Sequence, residues 1–410
     1  MSQRYPECRS TYTPAIMEAA SERLAARSWW RARGGGLALA HFRNTIVVYL
    51  GTRVLLLVLA LVESKIRHQP LIYELANWDG RWFRALAHNG YPAHAAHAQT
   101  TLGFFPLYPI IMWLLASAFG PGTFTAVTVA GLVVSGIGGL VAAVLVQQLA
   151  SGWWGERTGR RAAALFCLFP GSVVFSMVYS EALLLPLAAG CILALERRRW
   201  VLAGVLAGLA TAVQPDALAL IPVCAIAAGI ALHRDGLPKA RGALLAPVLS
   251  LSGMVAFAAY LWARTGTPFA NYQAQHYGWG EKTDLFALVH LARTLADEVS
   301  FTHFNHPTIN LNHVAGLAGA VFLAVGLVLL FRRPRLVSVE GRVWSAAIAF
   351  LALTSEYVPP NPRLLITAFP VVVVFAHHLR GRAGTRLLVV NGALLVAMSY
   401  LTFYGTTLRP

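Results

Sequence analysis

Asp79 is the residue of this sequence best placed to do chemistry. It is the one carboxylate in residues 77–109 (NWDGRWFRALAHNGYPAHAAHAQTTLGFFPLYP), beside Arg81, Arg84 and a crowd of tryptophan and phenylalanine rings. Asn77 is suited to cap a helix starting at Trp78. Trp78, Trp82 and Leu86 then recur every four residues on one face, and Asn89-Gly90 before Tyr91-Pro92 ends the helix. Asp79 falls in the first turn, where the helix dipole favours its ionised form. An anionic carboxylate held at a membrane surface by aromatic anchors can serve as a general base. The competing use is a solvated capping acid on an interfacial helix.

The chain around it is built for a membrane. Its 410 residues are 57% hydrophobic and 12% charged, with mean hydropathy +0.59. A soluble chain carries roughly 25% charged residues. The deficit and the long apolar runs predict an all-α polytopic membrane protein. A net charge of +16 raises the question of nucleic acid. However, the arginines sit in short loops between apolar runs, the positive-inside pattern, so no nucleic-acid partner is expected. Cys8, Cys167, Cys191 and Cys224 show neither zinc spacing nor a disulfide framework. Lys65, Lys239 and Lys282 are the only lysines, which with the Ala and Gly content hints at a high-GC bacterial genome.

Residues 1–43 lack a signal peptide's apolar core and cleavage site and read as a cytoplasmic tail. Within them, 17–33 (MEAASERLAARSWWRAR) predicts a basic amphipathic helix on an anionic membrane face, and Met17 is an alternative start. Residues 44–410 read as one membrane domain. Its first span, 44–62, carries Arg53 near the middle, which costs about 3 kcal/mol unless it snorkels or meets a polar interior. A functional role and a structural pairing both stand for it. Further apolar runs cover 124–149, 162–177, 179–195, 200–214, 216–232, 243–262, 311–331, 343–357, 363–379 and 386–404. Pro170, Pro186, Pro215, Pro222, Pro247 and Pro370 predict broken or tilted helices among them. Five arginine-bearing loops, near 157–161, 197–199, 234–241, 332–342 and 380–386, fall on one side if the spans alternate. The basic tail joins them only if 104–119, with Pro106 and Pro109, does not cross. About 11 spans result, with the amino terminus inside, the carboxyl terminus outside, and large outer loops at 63–123 and 263–310.

Several motifs in order give the chain a familiar look. Trp78-Asp79-Gly80-Arg81-Trp82-Phe83, Asn89-Gly90-Tyr91 and Phe104-Phe105-Pro106-Leu107-Tyr108-Pro109 lead. Tyr179-Ser180-Glu181-Ala182, the 275–279 stretch QHYGW, and Pro362-Arg363-Leu364-Leu365 before Phe369-Pro370 follow. The series resembles the GPI mannosyltransferase 2 (PIG-V) family. It departs where Pro92-Ala93-His94 follow Tyr91 in place of an early acid, and where Gln214 precedes Pro215 in place of an arginine. The resemblance implies a GT-C-type bundle with juxtamembrane helices on the outer surface and the essential acid in the first outer loop. It further implies inverting transfer of mannose from a polyprenyl-phosphate-mannose donor to a glycolipid or glycan acceptor outside the cytoplasm.

On that resemblance, Asp79 is the expected base. Arg363, at the outer end of a span, can grip phosphate oxygens bidentately or merely anchor the span. Arg81 and Arg84 are alternatives, although i+2 spacing puts Arg81 across the helix from Asp79. Glu181 can orient sugar hydroxyls, support Asp79, or be a plain loop acid; Asp216 has the same standing with less support. Trp78, Tyr91, Gln275, His276 and Trp279 complete the expected substrate contacts. His94, His97, His303, His306 and His313 come with no carboxylate-rich or cysteine ligand set, so no metal or cofactor is expected. The alternative readings are a lipid or glycan transporter and a non-catalytic subunit of the same fold. A transporter would place ionisable groups in mid-membrane and show inverted repeats.

Overall fold

The computed structural model describes residues 35–119, 123–299, 309–333, 336–404 and 408–410. The helix expected at 17–33, Cys8, His303 and His306 lie outside them. In chain order the principal helices are α1 (Gly35–Ile66), α2 (Asp79–Asn89), α3 (Leu107–Phe119), α4 (Phe124–Trp154) and α5 (Glu156–Leu168). Next come α6 (Glu181–Glu196), α7 (Trp200–Thr211), α8 (Leu220–Asp235), α9 (Ser252–Thr265) and α10 (Ala287–Val299). The chain closes with α11 (Leu311–Arg332), α12 (Val339–Thr354), α13 (Pro362–Thr367), α14 (Phe369–His378) and α15 (Gly381–Phe403). No strand is present among the described residues, only an isolated antiparallel bridge between Thr283 and Ser355.

The packing is that of a bundle solvated by lipid. Along α1, Val47, Leu50, Val54, Val58 and Leu61 face outward, while Tyr49, Thr52, Leu56 and Ala60 are buried. Apolar side chains thus line both the exterior and the interior, so small residues decide how closely helices approach. At Gly138 of α4 a Cβ would collide with the Ala182 carbonyl of α6. Glycine there lets α4 lie against the start of α6, the helix that carries Glu181.

Six helical stretches among the described residues are long and apolar enough to cross a membrane. A seventh arises if Pro170–Ser176 and Glu181–Glu196, bent by 110°, count as one broken span. The eleven expected spans are therefore not reached by length alone. The helix that carries the first span begins at Gly35, and its apolar membrane-length stretch runs from Ala40 to Ile66, starting before the expected 44. Two hydropathy runs proved discontinuous for a clear reason. Apolar character continues through Pro170 and Pro370, whereas the helix hydrogen bonding does not. The run 162–177 thus ends α5 at Leu168 and enters a 3-10 turn, and the run 363–379 splits at Ala368 into α13 and α14.

Arg53 in mid-α1 has a structural employment. Its guanidinium donates to the Ser172 carbonyl (2.6 Å), Ser176 Oγ (2.9 Å) and Ser172 Oγ (3.1 Å), and lies over the Tyr49 and Phe175 rings. The terminal nitrogens of this charge are thereby met by hydroxyls and a carbonyl, while Nε is buried without a hydrogen-bond partner among the described residues, and the guanidinium clasps the Pro170–Ser176 turn to α1.

The basic loops meet at one end of the bundle. Arg161 feels the charges of Arg157 and Arg380, and Arg198 pairs with Asp235 at 2.5 Å. With 13 residues, α3 reaches about 20 Å, short of the roughly 30 Å hydrocarbon core. Reporter fusions after Thr123 and near Leu71 are therefore expected to report the same side, opposite to one after Gly155. Opposite sides for the first two would make α3 a span and invert the side of every later loop.

Candidate active site

Asp79 opens α2, but not as its sequence suggests. The cap position is Trp78, at φ 57° and ψ −124°, and no side chain caps the helix. Asn77, expected as the cap, is buried and otherwise engaged. Its Nδ2 donates to Glu74 Oε2 (3.2 Å) and its Oδ1 accepts from an Arg81 guanidinium nitrogen (2.8 Å). Glu74 is 2% exposed and needs donors, and the Asn77 amide supplies one. A tryptophan at positive φ costs about 1–3 kcal/mol and persists only where surrounding contacts over-determine it. Those contacts are visible. Val178 N donates to the Leu75 carbonyl (3.0 Å), and Gly80 packs against Val178.

The strained turn aims Asp79 at Arg363. One guanidinium nitrogen of Arg363 ion-pairs with Asp79 Oδ2, and its Nε lies 3.3 Å from Glu181 Oε1. The same guanidinium sits 5.5 Å above the Tyr179 ring, whose hydroxyl accepts from Asp79 N at 3.4 Å. Side-chain exposure is 17% for Arg363, 31% for Asp79 and 5% for Glu181, so the acid at the back is inaccessible while Asp79 stays open. Arg363 is held by its own helix start: Asn361 Oδ1 accepts from Leu364 N (3.0 Å), and Pro362 occupies the first turn of α13. Gly171 of the Arg53-clasped turn abuts the Pro362 carbonyl with no room for a Cβ.

Other expected residues divide into those drawn near and those engaged elsewhere. Ser180 Oγ donates to Gln214 Oε1 (2.8 Å) and Gln214 Nε2 to Asp216 Oδ2 (3.1 Å), so the glutamine standing in place of an arginine links Glu181's neighbour to Asp216. Asp216 in turn lies within electrostatic reach of Arg363. Trp279 packs edge-on against Trp82 (5.0 Å) and Phe104 (5.7 Å), and Gln275 Nε2 donates to the Gly103 carbonyl (2.6 Å). Trp78 Nε1, Trp279 Nε1 and Glu181 Oε2 are buried without a hydrogen-bond partner among the described residues. Arg81 turns to Asn77. Tyr91 donates to the Phe104 carbonyl (2.6 Å) and is buried against Phe257, and His276 stacks on Tyr272. Among the described residues none of these three side chains forms a hydrogen bond or ion pair with Asp79 or Arg363.

Two residues of the site escaped sequence reasoning. Tyr179 lay inside a quoted motif, but nothing in its spacing told that its ring would support a guanidinium. Glu281 follows the QHYGW stretch and gave no signal. It arrives through tertiary pairing, as Asp284 N donates to the Thr354 carbonyl (2.7 Å) and Glu356 N to the Lys282 carbonyl (3.0 Å). Burial pushes the Glu281 carboxyl above the ordinary glutamate range, opposed by the Ser355 hydroxyl and Arg363 and reinforced by Asp216 and Glu356. Among the described residues no three His, Cys, Asp or Glu side chains gather as a metal-ligand set.

The geometry makes Arg363 the counter-charge of a buried acid. Arg363→Ala leaves Glu181 uncompensated and is expected to destabilise the protein by about 3–5 kcal/mol. Adding Glu181→Gln should recover a large part of that loss. Thermal unfolding in one detergent, over the single and double variants, checks both; equal stability of wild type and Arg363→Ala would deny the pairing.

Comparison with known proteins agrees with this architecture. The family model described as Mannosyltransferase (PIG-V) matches residues 54–264. No curated protein sequence matches the chain. Among solved structures, the fold is similar to ArnT from Cupriavidus metallidurans bound to undecaprenyl phosphate, at TM-score 0.50 and 16% identity. That match covers 84% of this chain and 62% of ArnT, so the chain spans less than two thirds of that protein. The archaeal oligosaccharyltransferase AglB from Archaeoglobus fulgidus, in complex with an inhibitory peptide and a dolichol-phosphate, matches at TM-score 0.47 and 15% identity. It covers 86% of this chain and 56% of its own. The nearly all-helical fold with its apolar spans is of the GT-C type. With just over half its length matched by that family model, the chain belongs to the mannosyltransferase (PIG-V) family.

Proposed function

We propose that this protein transfers mannose from a polyprenyl-phosphate-mannose donor to a hydroxyl of a glycolipid or cell-envelope glycan, with inversion at the sugar carbon. Residues 44–410 form the one catalytic domain, and the site faces the extracytoplasmic side, away from the end where the arginine loops meet. The ion pair between Asp79 and Arg363 is the observation that carries this reading.

An inverting transfer needs a base at the acceptor hydroxyl and a cation at the departing phosphate. Asp79 takes the acceptor proton while the acceptor oxygen bonds to the sugar C1 from the face opposite the phosphate. The C1–O bond breaks and its electron pair stays with the phosphate, which passes from a singly charged diester towards a doubly charged monoester. Charge thus leaves Asp79 as it gathers on the phosphate. A guanidinium beside both follows it, loosening from the protonated carboxyl and tightening on the leaving group. No proton donor is required, because the phosphate departs as an anion. Arg363 presents two parallel N–H groups to do this, and Glu181 behind it keeps the guanidinium in place. Trp78, Trp82 and Trp279 offer ring faces to the apolar side of a sugar. The acids clustered at one end of the bundle support an enzyme over a transporter, since mid-span Arg53 is satisfied by the Ser172–Ser176 turn.

Two variants test the assignment in single-turnover transfer from labelled polyprenyl-phosphate mannose. Asp79→Asn keeps the shape but removes the proton acceptor, so turnover is expected to fall by about 10²–10⁴-fold with folding intact. A well-folded Asp79→Asn protein retaining more than about a tenth of the rate would dismiss Asp79 as the base. Arg363→Lys keeps the charge but not the fork, and a raised donor KM with lowered kcat is expected. Asp284→Asn, which only alters a turn and a surface pair with His290, should stay near wild type.

A further inference from the structure

The carboxyl group of Glu281 has no structural employment that accounts for it fully. Its Oε1 accepts from Ser355 Oγ at 2.8 Å, and among the described residues it forms no ion pair with arginine or lysine. Buried or half-buried acids are ordinarily paired with a cation. This one is surrounded by like charge, feeling Asp216 and Glu356 as well as the more favourable Arg363.

Its location is defined from both sides. Glu281 N donates to the Gln275 carbonyl (2.9 Å), which ties it to the turn whose Trp279 packs on Trp82 of α2. Trp82 is three residues beyond Asp79. On the other flank, Ser355 and the Thr283–Ser355 bridge tie the loop to the segment that runs on to Asn361 and Arg363. The carboxyl is therefore suspended between the element carrying the base and the element carrying the phosphate-binding arginine, two residues from an indole. Sugars are recognised by this combination, with an aromatic face for the C–H side and a carboxyl for neighbouring hydroxyls.

We propose that Glu281 is a specificity-determining residue of this glycosyltransferase, hydrogen-bonding hydroxyls of the sugar carried by the lipid-phosphate donor and so setting which sugar the site admits. The inference rests on the transfer reaction proposed above and names a contact that the reaction itself does not require.

Equilibrium binding to the purified full-length protein tests it without turnover, using undecaprenyl-phosphate mannose, undecaprenyl-phosphate glucose and undecaprenyl phosphate. Glu281→Ala is expected to weaken the mannosyl lipid roughly 10-fold or more, to shrink the preference between the two sugars, and to leave undecaprenyl phosphate within about twofold. Ser355→Ala frees the carboxyl from its hydroxyl partner without removing it, and should retain the sugar preference. Equal weakening of all three lipids in Glu281→Ala, or an unchanged preference between sugars, would overturn the assignment. The same loss in Ser355→Ala would reduce Glu281 to a loop pin and overturn it too. Transfer by Asp79→Asn reports on the reaction alone, so failure of that chemistry is read separately from failure of the sugar contact.

Discussion

One guanidinium organises the acid end of this bundle. Arg363 is too buried to be hydrated like a surface arginine, and a cation in such surroundings must be matched at close range. Its partners come from distant segments: Asp79 lies 284 residues earlier in the chain, and Glu181 opens α6 after the bend. Neither carboxylate is redundant, because they differ in access. Glu181 is sealed in against the guanidinium, whereas Asp79 is partly open to solvent. The proposed transfer, in which the guanidinium loosens from Asp79 and tightens on the phosphate, uses this inequality.

The rest of the fold can be followed outward from that pairing. The backbone of 75–80 docks on 178, and the Pro170–Ser176 turn supports Pro362 through Gly171. Arg53 clasps the same turn from inside α1. Three segments thus share one small irregular region, where helical hydrogen bonding is broken on purpose and backbone groups are met by side chains. In a lipid-solvated protein such irregular backbone survives only where protein buries it or a cavity receives it. The bend before α6 is therefore the structural condition for bringing Glu181 to Arg363.

Much of this was legible in the sequence, and the limits have physical reasons. Apolar runs announced the bundle, and the spacing of Trp78, Trp82 and Leu86 located α2 to within a residue. The motifs flanking Asp79, Glu181 and Arg363 marked three segments that do meet. Asn77 misled, since a good capping residue was recruited by a buried glutamate instead, a choice decided by tertiary contact. Hydropathy is blind to where a proline interrupts hydrogen bonding, so 162–177 and 363–379 read as continuous runs. Gln275 and Tyr91, which looked like ligand contacts, have polar atoms bonded to nearby carbonyls. Glu281 was invisible because its position depends on pairing between 281–284 and 354–356, and no periodicity encodes a contact over that separation.

The acid-rich surroundings of Arg363 bear on how an anionic donor can enter. Asp79, Glu181, Asp216 and Glu281 all act on this one arginine, so on the proposed reaction a donor phosphate is attracted where it meets the guanidinium directly. Coulomb energy falls with distance and is screened through water, so direct contact with the guanidinium is where that attraction is greatest. On the proposed reaction, a phosphate held against the guanidinium would set the sugar C1 relative to Asp79. In that reading the surrounding acid weakens donor binding while it narrows the ways a donor can bind. For a transfer that depends on in-line displacement, one aligned pose is worth more than several tight ones.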